Sequence, residues 1–139
     1  MRHVALAGID RMRDQMDEAA LGARGAPLGP IIALGMCYAN FARTEPGVFR
    51  LMFGLTDSHE GDQEIKERGD ACAEIVRREV RLILPQGTPE LEIARRAHML
   101  HMFVHGHAFL EIDGKNDFDL TPEQEHGLMV DIAARIMRD

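Results

Sequence analysis

Between Met99 and Ile112 the chain reads MLHMFVHGHAFLEI. Apolar side chains occupy most of the helical circumference, with His101, His105, His107 and Gly106 set among them. A helix without a continuous polar face has to be covered on several sides. Asp113-Gly114 ends the segment. Downstream, Thr121-Pro122-Glu123-Gln124 spells a capping box, with Thr121 as the cap and Gln124 reaching back. Leu128, Met129, Ile132, Ala133 and Ile136 then recur at helical spacing to the C-terminus. A chain of 139 residues offers few elements to cover both of these helices. A second copy supplies the cover if two antiparallel helices from each chain pair across a two-fold axis into a four-helix bundle. This reading puts Met102, Gly106, Phe109, Leu128, Met129, Ile132 and Ile136 at a homodimer interface. Gly106 there either lets backbones approach closely or merely weakens its helix. Burying one large apolar side chain is worth about 1.5–3 kcal/mol, and an exposed face of this kind would invite aggregation.

Working back from that hairpin, the periodicity stays helical. Leu6, Ile9, Met12, Met16 and Ala20 form one stripe. Gly25 to Pro30 breaks it, and Pro30 suits the first turn of a second helix, where its missing N–H costs nothing. Ile31, Leu34, Tyr38, Phe41 and Ala42 give that helix an inner face. Thr44-Glu45-Pro46-Gly47 reads as a stop and restart in which Thr44 caps a short apolar helix from Pro46 to about Phe53, ended by Gly54. The polar stretch from Leu55 to Asp62 reads as a loop. Ile65, Cys72, Ile75, Val76, Val80 and Ile83 mark a long amphipathic helix stopped by Pro85, and Thr88-Pro89-Glu90 reads as the cap of the next. No β-branched alternation announces a strand. The expected architecture is all-α, about six helices in one domain spanning residues 1–139.

Composition narrows the function. Sixteen Lys and Arg face 23 Asp and Glu, a formal net charge of −7. The basic clusters, Arg77-Arg78-Arg81 and Arg95-Arg96, have Glu74, Glu79 and Glu92 beside them and read as solvated helix faces rather than a nucleic-acid groove. No run approaches the roughly 20 apolar residues of a membrane span, and the N-terminus has no secretory pattern. Two cysteines, Cys37 and Cys72, are too few for a disulfide framework, so a cytoplasmic setting is expected.

Catalytic signatures are sparse. No nucleophile elbow, P-loop or dinucleotide fingerprint occurs, and Ser58 is the sole serine. No enzyme and no cofactor are expected. His98, His101 and His105 are spaced i, i+3, i+7 and fall near one face. They read either as polar groups of a helical pocket or interface, or as metal ligands in an all-α metal protein or enzyme, with Cys37, Cys72 or Glu79 as possible companions. Glu123-x-x-His126 is a single unit where a carboxylate-bridged metal bundle needs two. Asp113, Asp117 and Asp119 lack the ligand and glycine positions of an EF-hand, which here are Lys115 and Phe118. Nine methionines serve either as core filler or as an adaptable interior, with Met36, Met52, Met99 and Met102 the candidates for a common one.

Two stretches carry a family resemblance. YANFARTEPGVFRLMFG, from Tyr38 to Gly54, resembles a segment of many TetR-type transcriptional repressors. HMFVHGHAFLEIDG, from His101 to Gly114, is similar to the Trp-His-Gly type of C-terminal effector domain in that family. His101 stands where that type carries tryptophan, and His105-Gly106 matches. The resemblance implies an effector-binding and dimerisation domain, with its last two long helices at the dimer and a small-molecule ligand between the others. DNA would be contacted only through an N-terminal helix-turn-helix, which is not in this sequence. The first helix would be the one that joins the two domains. The residues so implied for a small, mostly apolar ligand are Met36, Phe41, Phe49, Met52, Ile75, His98, His101 and His105.

Overall fold

Among the described residues of the computed structural model, 1–53, 62–115 and 119–138, six helices follow one another and no strand occurs. They are α1 (Arg2–Gly22), α2 (Gly29–Thr44), α3 (Pro46–Met52), α4 (Gln63–Ile83), α5 (Glu90–Ile112) and α6 (Pro122–Met137). The expected end of α3 at Gly54, the loop residues before Asp62, and Asp117 and Phe118 lie outside the described residues.

Local chemistry accounts for most of the helix ends. Pro30 sits in the first turn of α2. The Asp62 carboxylate accepts from the Ile65 N–H and caps α4. Leu84 is extended, as the residue before Pro85 must be, and α4 stops there. Gly114, at φ +67°, closes α5: its N–H donates to Glu111 O and the Lys115 N–H to Leu110 O, a complete Schellman arrangement. The capping box at α6 is formed, with Thr121 Oγ1 accepting from Gln124 N–H at 3.1 Å and Gln124 Oε1 accepting from Thr121 N–H at 2.9 Å.

Two expected caps are not formed. Thr44 is the last residue of α2, and its hydroxyl donates back to Asn40 O at 2.9 Å. Glu45 is the junction between α2 and α3. Thr88 likewise donates to Pro85 O at 2.6 Å, inside the preceding turn, and Pro89 precedes α5 without a side-chain cap. In both cases the hydroxyl has a carbonyl within local reach behind it and takes that instead.

Helix α2 is the hub. It touches all five other helices, which its buried Ile31, Leu34, Tyr38, Ala39, Phe41 and Ala42 explain. Gly35 lets α6 approach: a Cβ there would lie 2.8 Å from Met129 Sδ. Gly8 does the same for α1 against α3, where a Cβ would come within 2.5 Å of Val48 Cγ1. Helices α5 and α6 run antiparallel, with Arg96 donating to Ile136 O and Arg138 O at one end and His107 meeting Glu125 at the other.

Helices α1 and α4 run parallel and are joined by a ladder of ion pairs. Its rungs are Arg2–Asp62 at 2.7 Å, Asp10–Arg68 at 2.8 Å, Asp17–Arg78 at 2.6 Å and Arg24–Glu79 at 2.8 Å. Glu79 is buried and is held from two sides, by Arg24 and by Arg78 at 2.6 Å. Arg78 and Arg96 are therefore structural groups rather than solvated face charges, a correction to the reading of the two basic clusters.

Candidate functional site

The apolar stripes of the helices do not fill the space they enclose. A cavity of about 470 Å³ remains between them, bounded by all six helices. This falls within the size range of small-molecule pockets, about 300–1,000 Å³. Helix α1 contributes Ile9, Met12 and Met16, α2 contributes Leu34, Gly35 and Tyr38, and α3 contributes Met52, with Phe53 just beyond its end. The far wall is Val104 of α5 with Met129 and Ile132 of α6. The methionines that meet here are thus Met12, Met16, Met52 and Met129. Met36 packs against the core from its edge, Met99 is not on the wall, and Met102, 55% exposed, points outward, next in the chain to the wall residue His101.

The wall residues that reach solvent mark the mouth. On α4 they are Lys66, Gly69, Asp70, Ala73 and Arg77, and on α5 they are His98 and His101. The two rows follow from helical spacing along facing edges of α4 and α5. Lys66 and Asp70 neutralise each other at 3.0 Å. No buried wall residue among those described is charged.

The interior carries one strong polar contact. Tyr38, 5% exposed, shares a 2.6 Å hydrogen bond with His105 Nδ1. The His105 ring lies behind the wall among Phe49, Phe53 and Phe109, with centroids 6.0, 4.9 and 4.8 Å away, and His101 is 5.3 Å further along α5. Burial pushes the Tyr38 phenol up and the His105 and His101 imidazoles down, so all three are neutral near pH 7. The Cys72 thiol, on the wall and donating weakly to Ile9 O, is pushed up to about 11 by burial, as is Cys37.

The residues named from sequence separate into three groups. Met52, His98 and His101 lie on the cavity wall, and His105 is bonded to a wall residue. Phe41, Phe49 and Ile75 are packed in the core beside it. Met129 and Ile132, named for a dimer face, line the cavity from α6, while Met102 and Gly106 are exposed and Phe109, Leu128 and Ile136 are half-buried. Tyr38 was legible as an inner-face residue but not as the polar anchor of the cavity. Its signal was its hydroxyl, alone on an otherwise apolar stripe.

His98, His101 and His105 are not gathered as ligands. Among the described residues, the group of metal-type side chains brought within 4.8 Å is His107, Glu111 and Glu125. That group is already neutralised: Arg43 donates to Glu111 at 2.6 Å and to Glu125 at 2.6 Å, and His107 Nε2 lies 2.8 Å from Glu125. A guanidinium seated between both carboxylates opposes a cation there.

Comparison with known proteins agrees with this architecture. A family model described as tetracyclin repressor-like, C-terminal domain, matches residues 31–133. A solved structure, of a protein with unknown function from Rhodococcus sp. RHA1, superposes with a TM-score of 0.78 at 19% identity. The match covers 97% of this chain and 70% of that one, and it speaks to the fold alone. No curated protein matches significantly. A match over residues 31–133, on an all-α frame whose helices enclose an apolar cavity, identifies the chain as a member of the tetracyclin repressor-like C-terminal domain family.

Proposed function

We propose that this chain is the effector-binding and dimerisation domain of a TetR-like repressor, a non-enzymatic cytoplasmic module that takes a small, mostly apolar molecule into the cavity through its mouth between α4 and α5. The observation that carries the reading is the cavity, with its methionine-rich wall, neutral polar anchor and solvent-reaching mouth. Three of its wall residues, Ile9, Met12 and Met16, belong to α1. In a regulator of this kind α1 leads toward a helix-turn-helix that contacts DNA. A ligand that fits one placement of α1 better than another shifts that equilibrium by the difference in its two affinities.

The dimer face in this reading is the outer side of the α5–α6 hairpin. Met102, Leu110 and Val130 are exposed there, and a Cβ at Gly106 or Gly127 would meet nothing within 4 Å in the protomer. Open glycines beside exposed apolar side chains suit close helix crossing with a second copy. Sedimentation at micromolar concentration is expected to give a dimer, and Met102→Glu with Val130→Glu a monomer. A wild-type monomer would remove this part of the proposal. For the ligand, a thermal-shift series of neutral and acidic amphipathic compounds of about 12–15 heavy atoms, a size this cavity admits, is expected to raise Tm. A flat response across the series would count against an effector site.

A further inference from the structure

The Tyr38–His105 pair fixes the hydrogen-bonding sense of the cavity. The contact is 2.6 Å long, short for an N–H donor and ordinary for an O–H donor. A phenol is also the stronger acid of the two, and an imidazole nitrogen the better acceptor. Tyr38 therefore donates its proton to His105 Nδ1, which puts the imidazole N–H on Nε2. The rings of Phe49, Phe53 and Phe109 around His105 suit an N–H better than a bare lone pair. With its proton committed to His105, the phenol oxygen can only accept, and Tyr38 is a wall residue of the cavity.

Resting on the reading of the cavity as an effector site, we propose that its ligand is a neutral apolar molecule bearing a hydroxyl or N–H group, which donates to Tyr38 Oη. The rest of the wall agrees. It is apolar apart from Tyr38, the Cys72 thiol and the mouth residues, and its charged members, Lys66, Asp70 and Arg77, are all at the mouth. A carboxylate drawn in to Tyr38 would lose its hydration and meet an acceptor. A neutral ligand with an acceptor but no donor would leave the oxygen unpaired. His105 is a positioning residue here: it acts by holding the Tyr38 proton.

Calorimetric titration of the protein at pH 7.5 with 4-hexylphenol, 4-hexylanisole and 4-hexylbenzoate separates the possibilities. The three share one apolar body and differ only in the head group. The phenol is expected to bind about five- to tenfold more tightly than the anisole, and the benzoate most weakly. Tyr38→Phe is expected to abolish the phenol's advantage, so that phenol and anisole bind alike. His105→Phe frees the Tyr38 proton and is expected to close the same gap from the other side, by strengthening the anisole. Should Tyr38→Phe fail to fold, His105→Phe carries the test alone. If the anisole matches the phenol, if the benzoate binds best, or if the preference survives both substitutions, the donor assignment is wrong while the cavity remains an apolar binding site. If none of the three binds, the effector reading itself falls and takes this inference with it.

Discussion

Arg43 reaches from α2 to the Glu125 carboxylate on α6, at 2.6 Å, and to Glu111 on α5 with a pair of contacts at 2.6 and 3.0 Å. One guanidinium thus ties the hub helix to both arms of the hairpin. The Glu125 side chain is only 6% exposed, and with Arg43 gone its charge would be left to His107 alone. Arg43→Met is expected to destabilise the fold by about 2–3 kcal/mol, because a buried carboxylate loses its cation. Urea unfolding of variant and wild type measures it. A change within experimental error would mean that solvent screens this network.

Two glycines give opposite expectations for the same substitution. Gly8→Ala puts a methyl 2.5 Å from Val48 Cγ1, a branched side chain with little room to retreat. Overpacking there outweighs the helix-propensity gain, for a net loss of about 1 kcal/mol. Gly69→Ala on α4 meets nothing within 4 Å. It is expected to add about 0.5–1 kcal/mol of stability through propensity alone. Thermal unfolding of the two variants side by side checks both signs.

The two thiols are predicted to be slow. Pushed up to about 11, Cys37 and Cys72 carry a thiolate fraction at pH 7.5 roughly a hundredfold or more below that of a free cysteine. Iodoacetamide labelling read by mass spectrometry is expected to show that lag at both sites. Saturating 4-hexylphenol is then expected to protect Cys72, which is on the cavity wall, and not Cys37. Equal protection of both would point to general tightening rather than occupancy.

Acid sensitivity has a defined direction. Burial holds His101 and His105 below the ordinary histidine value, so near and above about pH 6.5 they cost the fold nothing. Below that pH the unfolded chain takes up protons first, and stability falls until the folded-state values are passed. Tyr38 of α2 faces these rings, Phe49 of α3, Phe53 just after it and Phe109 of α5 lie against His105, and His98 adds a like-charge penalty to His101 along α5. The paired carboxylates Glu79, Glu92 and Glu111 are held low and lose their contribution only further down, below about pH 4.5. Unfolding free energy is therefore expected to decline as the pH falls below about 6.5 in the wild type. The double variant His101→Gln, His105→Gln is expected to stay flatter over that range.

Helical periodicity located the elements because it registers which side of a helix avoids water. It could not separate a packed interior from a wall facing empty space. Phe41 and Tyr38 sit three residues apart on the same inner face of α2, yet one is packed solid and the other lines the cavity. The same ambiguity applies on α6, where Met129 and Ile132 belong to an apolar stripe that turns inward while Val130, beside them, faces out. Capping was legible where the side chain had one use, as at Thr121. It was not at Thr44 and Thr88, where a carbonyl behind the hydroxyl competed. The family resemblance from Tyr38 to Gly54 and from His101 to Gly114 supplied what periodicity could not, namely the expectation of a ligand between the helices.

The ladder between α1 and α4 gives the domain a preferred way to deform. Its rungs run across two parallel helices, so shear along the helix axes would break all of them together, while a swing of both helices as one plank leaves every rung intact. The lip of the cavity on α4 is one face of that plank and α1 is the other. In the proposed function, prising the lip open would therefore move α1 with it, and the stiffness that guards the seam against slippage would carry a small molecule's arrival along α1.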